Sequence, residues 1–469
     1  MDIQKIKTVL YEYCTALLCT AIFYGCGDSS SHREVDTGTE EAQSDPVPSD
    51  PDSETETETS IPVYPELCAV QTEKVAGVET GRFPLGGGPG SAESLSLSVE
   101  SDSGRGLFAY NYIDADLTSW EIRTATYQTS PGADDAGDTV VREVGELSSP
   151  APGGAGSRMV STAAGPDGFL LVWYDGRYND ACTPDTINSC RLDAVAVLTD
   201  VDGAPLDEPI ILSDEALGRP VGAPATAALP DGYLAVWQTR LNSETLLAAV
   251  RLDEFGRPVK EAFLLEGISV DTISPPVIAV GKAVSVVVYT EKDQLGAAAL
   301  VWPHGEETPE EESVRLNDAT VSGYKPSAAA TGNGFLTVWA GVFADGGTEV
   351  AARLLDADGA FDGEIRRLTW ASSVNSISAA ASDEGYAVAF TSAGLDGAPS
   401  CAVDSCNDQV FVTLIDPDGT VRSNPVQITA DPNRSTAVRL AWDGLGWTAV
   451  WQTWGKERWR PFYGQVTCE

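Results

Sequence analysis

From about residue 64 onward, one arrangement of apolar and polar positions recurs along the chain. Its clearest copies are Gly168-Phe169-Leu170-Leu171-Val172-Trp173, Gly232-Tyr233-Leu234-Ala235-Val236-Trp237 and Gly334-Phe335-Leu336-Thr337-Val338-Trp339. Each is a glycine followed by an apolar strand that ends in Val-Trp. Weaker copies run from Gly385 to Phe390 and from Gly446 to Trp451, and degenerate ones end near Tyr289 and Tyr110. The aromatic markers therefore stand at 110, 173, 237, 289, 339, 390 and 451, at intervals of 63, 64, 52, 50, 51 and 61 residues. A period of this length is the signature of a repeat architecture.

Around each marker the same four parts return. A strand of small residues comes first, as in Ser327-Ala328-Ala329-Ala330, and the glycine and Val-Trp strand follow. An alternating strand such as Val350 to Leu355 leads into Asp356-Ala357-Asp358-Gly359, and a fourth strand, Ile365 to Leu368, closes the unit. Other units carry the turn as Asp200-Val201-Asp202-Gly203 and Asp416-Pro417-Asp418-Gly419. Asp-Gly between two strands is a strong hairpin signal because its backbone tolerates positive φ. Four antiparallel strands in about 50 residues is the size of a propeller blade, whose innermost strand must be slim where blades crowd the axis. The pattern predicts an all-β fold: a seven-bladed β-propeller of four-stranded antiparallel blades over residues 63–469. After Trp451 only one further strand, Phe462 to Val466, remains, so the last blade lacks its fourth. The segment Val75 to Leu85 is expected to supply it, which would join the two termini in one blade and leave no open strand edge.

Residues 1–26 have a different character. Lys5 and Lys7 precede an apolar run from Ala16 to Tyr24, the form of an export signal. The run ends Phe23-Tyr24-Gly25-Cys26, which resembles the lipobox of bacterial lipoproteins, although bulky Phe23 and Tyr24 stand where aliphatic and small residues are usual. The resemblance implies acylation of Cys26 and, with Gly27 after the cysteine, an outer-membrane lipoprotein with a surface-exposed body. An ordinary secretory signal or a short uncleaved anchor is the alternative. Residues 27–62 hold eleven Asp and Glu, one Arg and no aromatic side chain, so this stretch is expected to be an extended acidic linker without a core. The repeats from residue 64 resemble secreted bacterial propeller proteins built from "VW … DxDG" units. That likeness implies the fold and says nothing of chemistry.

Composition narrows function mainly by exclusion. There are 29 Lys and Arg against 70 Asp and Glu, a net charge of −41, so the surface repels phosphate backbones and no nucleic-acid partner is expected. With two histidines, His32 and His304, neither beside other ligand types, a histidine metal site or a Ser-His-Asp triad is hard to build. Of nine cysteines, Cys14 and Cys19 go with the signal and Cys26 with lipid, leaving six in an oxidising compartment. Cys182 with Cys190 and Cys401 with Cys406 are local pairs. Cys68 with Cys468 would then tie the closing blade. Reduced or differently paired thiols are the alternative.

In a four-stranded blade the second-to-third and fourth-to-next connections share one face, where long loops gather binding residues. Blade two offers Tyr174, Arg177 and Tyr178 ahead of the Cys182–Cys190 loop. Blade six carries the Cys401–Cys406 loop, and blade seven offers Trp454, Lys456, Arg458, Trp459 and Arg460. Aromatic faces with Arg suit a sugar ring or an anionic group. The expected function is a binding or scaffolding module with a protein or glycan partner, acting as a monomer and meeting membrane only through its lipid. The alternative is a glycosidase-like enzyme with carboxylates at the propeller mouth. No catalytic motif supports it. The sialidase Asp-box, Ser-x-Asp-x-Gly-x-Thr-Trp, has only Ser382-Asp383-Glu384-Gly385 as a near match, with different spacing and no Thr-Trp. No cofactor is expected. Calcium at the Asp-x-Asp-Gly turns is the competing thought, but an EF-hand-like loop needs more oxygens and a distal Glu.

Overall fold

The computed structural model describes residues 68–71, 83–84, 91–100, 103–113, 120–130, 138–146, 157–178, 191–271, 274–292, 296–310, 313–318, 322–343, 348–371, 373–395, 408–429, 434–455 and 458–468, all within the compact unit Pro62–Glu469. The expectations for residues 1–26 and 27–62, and for Cys26, Cys182, Cys190, Cys401, Cys406 and Lys456, lie outside them. Among the described residues no helix is long and apolar enough to cross a membrane.

The architecture is a seven-bladed β-propeller: seven antiparallel sheets, each built from strands adjacent in sequence except at the closure. Blade one comprises Ser91–Glu100, Arg105–Ile113, Trp120–Ser130 and Asp138–Glu146; blade two Ser157–Gly165, Gly168–Asp175, Asp193–Thr199 and Ile210–Ile211. Blade three runs from Arg219 to Ser269, blade four from Val277 to Arg315, blade five from Ser322 to Ala371 and blade six from Ser376 to Gln427. Blade seven has three consecutive strands, Ser435–Trp442, Trp447–Gly455 and Arg458–Cys468.

The period-2 alternation of the second strands explains the ring. All seven marker aromatics are buried, none more than 1% exposed. Each packs against the preceding blade: Trp173 lies with Leu107 and Ile122 of blade one, and Trp237 with Leu170 and Val172 of blade two. The ring closes on the same rule, since Tyr110 of blade one packs with Val450 and Tyr463 of blade seven. The residue before each marker faces the other way, toward the following blade. Opposite Trp237 and Trp339 the third strand carries Ala248 and Ala351, small residues that leave room for the indole.

The repeated glycine has a steric cause. A Cβ on Gly168 would lie 1.9 Å from the Thr199 carbonyl oxygen, and one on Gly232 would lie 2.1 Å from that of Leu252, both at a φ that favours glycine. The turn after the third strand is also local chemistry. In blade two the Asp200 carboxylate accepts the N–H groups of Asp202 and Ala204, and the Gly203 N–H reaches the Asp200 carbonyl. Gly203 has φ 82°, which lets the chain reverse.

The closing blade departs from expectation in detail. Its outer strand is Cys68–Gln71, paired antiparallel with the C-terminal strand in the register Cys68↔Cys468 and Val70↔Val466. Of the expected Val75–Leu85 segment, the described residues Phe83 and Pro84 pair with Tyr463 and Phe462. Both pieces pair with the single eleven-residue C-terminal strand.

Candidate functional site

The inner strands of all seven blades surround an axial cavity of about 400 Å³. Its wall is made of small, apolar and hydroxyl-bearing residues, as the crowding argument requires, with Pro224, Pro275, Pro276 and Pro326 among them. Two charged residues among those described line it, Lys325 and Arg439, and both are cations. Among the described residues no aspartate or glutamate faces this cavity, so the carboxylate pair of a glycosidase is not built there.

Five of the seven inner strands share one irregularity. Pairing shifts by a bulge between Glu93 and Leu95, Arg158 and Ser161, Val221 and Ala225, Tyr324 and Ser327, and Thr436 and Arg439. Each bulge holds a residue at positive φ: Ser94, Met159, Gly222, Lys325 and Ala437. Beyond it, the residue opposite the one before the marker aromatic is structurally equivalent in every blade. These residues are Ser96, Ser161, Ala225, Val277, Ser327, Ser378 and Arg439. The four serines do one job. Ser96 accepts the Thr162 N–H at 2.9 Å, Ser161 that of Thr226 at 3.1 Å, Ser327 that of Ala379 at 3.0 Å and Ser378 that of Leu440 at 3.0 Å. Each bond joins the inner edge of one blade to the next.

Around the cavity's loop-bearing end, buried carboxylates are matched with guanidinium groups. Glu121 accepts from Arg123 at 2.7 Å, Asp175 from Arg177 at 2.8 Å, Glu349 from Arg367 at 2.9 Å and Asp408 from Arg434 at 2.9 Å. Asp408 also accepts from Asn375 and Ser373, and Asp175 from Ser157 and the Trp173 indole. Such charge-assisted bonds stabilise the ionised form and suit these acids to holding loop ends. Lys325 donates from Nζ to the Val374 carbonyl, and burial lowers its pKa to about 8 against the pull of Asp408. Among the described residues no group of three or more His, Cys, Asp or Glu could hold a metal ion.

The residues expected to form the binding rim separate. Tyr174 is 2% exposed and donates to the Val221 carbonyl in the core between blades two and three, so it is not a rim residue. Arg177 is tied to Asp175, with Tyr178 exposed beside it. Trp454 and Trp459 face each other across the blade-seven hairpin with ring centroids 5.3 Å apart at 68°, and Trp454 is exposed. Arg458 and Arg460 lie on the same hairpin, opposite Gly455 and Thr453 in its backbone register. Arg439 and Lys325 are the site residues that sequence reasoning missed. The signal was present in alignment of the inner strands, where an arginine replaces serine, but the bulges hide that register.

No protein-family model matches the chain, and no curated protein matches it. Among solved structures, the chain is similar to the ectodomain of the parainfluenza virus 5 hemagglutinin-neuraminidase, with a TM-score of 0.48 and 8% identity over 84% of each chain. It is also similar to a subtype N10 neuraminidase-like protein of influenza A from a little yellow-shouldered bat, with a TM-score of 0.42 and 10% identity over 85% of this chain and 99% of that one. Acylaminoacyl peptidase of Pyrococcus horikoshii gives a TM-score of 0.43 and 10% identity over 81% of this chain and 52% of that one. Likeness at this level concerns the fold and carries nothing about chemistry.

Proposed function

We propose that this protein is an exported binding module that presents the loop-bearing face of its propeller to a glycan or protein partner. The observation that carries the reading is the Trp454–Trp459 pair: two indoles preset in an edge-to-face arrangement, one of them exposed, at the tip of a hairpin that also bears Arg458 and Arg460. Preset aromatic surface costs little ordering on binding and stacks well on sugar rings or apolar side chains. The test is a glycan array with a pull-down on residues 64–469. The Trp454→Ala/Trp459→Ala double variant should lose binding while keeping its melting temperature. Undiminished binding by the folded variant overturns the reading. The glycosidase alternative draws no support from the cavity wall, which carries no carboxylate among the described residues.

The same proposal sets the module at the cell envelope, carried by lipid on Cys26 and spaced by residues 27–62. Globomycin-sensitive processing and a palmitate-labelled product are the expected results. Disulfides Cys182–Cys190, Cys401–Cys406 and Cys68–Cys468 belong to it, the last supported by the backbone register that sets those two residues opposite each other. Non-reducing peptide mapping checks all three pairs. No cofactor is required in this reading, and a calcium-independent melting temperature is expected because the leading Asp of the turn is engaged by backbone N–H groups.

A further inference from the structure

We propose that the axial cavity is a binding site for a single oxyanion group, a carboxylate, sulfate or phosphate, seated on Arg439 with Lys325 as the second cation. At seven equivalent inner-strand positions the chain places Ser, Ala or Val six times and Arg once. The serine at this position has a structural task, accepting an N–H from the next blade. Arginine has no acceptor and cannot perform it, so blade seven gives up an inter-blade bond to hold a cation there. Arg439 donates from Nη1 to the adjacent Val438 carbonyl at 2.8 Å, and no carboxylate among the described residues pairs with it.

On a chain of net charge −41, the buried acids Glu121, Asp175, Glu349 and Asp408 at the loop-bearing end each have an arginine, yet among the described residues no acid pairs with the arginine inside the ring. An enclosed guanidinium without a counter-charge is disfavoured by desolvation, and burial pushes its pKa below the ordinary value. It keeps some accessible surface while protein surrounds it, as expected for a side chain on a channel wall. Lys325 lies at the bulge two residues before Ser327, the counterpart of Arg439 in its own strand, so the two cations sit at different depths of one cavity. Its ammonium uses one donor on the Val374 carbonyl and has others to offer. The planar fork of arginine takes an oxyanion in two parallel bonds, and about 400 Å³ admits a group the size of a hexuronic acid. The site is independent of the tryptophan pair on the blade-seven hairpin.

The test uses titration calorimetry and thermal unfolding with sulfate, inorganic phosphate and D-glucuronate, with chloride holding ionic strength constant. The sulfate and phosphate arms report a free inorganic ion, and glucuronate reports a carboxylate carried on a sugar. Saturable binding of at least one probe is expected, with a melting temperature that rises with the logarithm of probe concentration above the dissociation constant. Arg439→Ser should reduce affinity at least tenfold. It installs the residue that four other blades already use, so the variant is expected to fold, and to melt higher than the parent when only chloride is present. Lys325→Gln gives a second reading at the opposite cation, with a smaller loss. No saturable binding by any probe, or equal binding by both variants and the parent, overturns the proposal.

Discussion

At the scale of single residues, the repeat is enforced by sterics more than by composition. Gly232 shows this. A methyl group there meets the Leu252 carbonyl at 2.1 Å on a backbone at φ +139°, so Gly232→Ala must displace the neighbouring strand. A loss of about 3 kcal/mol or more is expected from strain together with the clash, read from urea unfolding. Gly267→Ala is the control. Its φ is +77° but the added methyl meets nothing within 4 Å, so the loss should stay near 1–2 kcal/mol. Lys325 supplies a pH prediction. Its folded-state pKa of about 8 is below the ordinary 10.5, so the unfolded chain binds the proton more tightly. Between roughly these two values the stability of the parent should rise with pH relative to Lys325→Met, with Asp408 and Arg434 as the charges that act on the ammonium. Melting curves for both proteins from pH 7 to pH 11 check the sign.

At the scale of elements, two levels of order were unequally legible. The second strands announced themselves, because glycine, apolar run and aromatic marker answer to one local rule that every blade repeats. The Asp-x-Asp-Gly turns were legible for the same reason, since their hydrogen bonds stay within five residues. The inner strands were not. Their bulges shift the pairing, and their serines act on the neighbouring blade, 50 to 70 residues away in sequence. Ser327→Ala tests that role. It leaves the Ala379 N–H without its acceptor and should cost about 1–2 kcal/mol without unfolding the ring, because Ala225 and Val277 show that other blades do without the hydroxyl. A double-mutant comparison with Ser378→Ala should be close to additive, as the two bonds join different pairs of blades.

At the scale of the whole molecule, net charge and closure dominate. Seventy acidic side chains against 29 basic ones oppose compaction, and salt relieves that opposition. The melting temperature should climb by several degrees between about 20 and 200 mM sodium chloride, then level off as the screening length falls below about 10 Å. A flat response in scanning calorimetry would mean that the surface charges are too dispersed to matter. Closure has the opposite sense. The short N-terminal strands occupy the edge of the C-terminal strand and leave that strand paired on both sides.

The sequence by itself determined the number of blades, the core aromatics, the turns and the joining of the termini, because each rests on spacing along one strand or one hairpin. Only the tertiary structure decided which N-terminal residues close the ring, that Tyr174 belongs to the core, and that Arg439 and Lys325 share an axial cavity free of acids among the described residues. Those facts depend on which blades meet, and at what register. A chain whose inner strands bulge does not display that register in its own order.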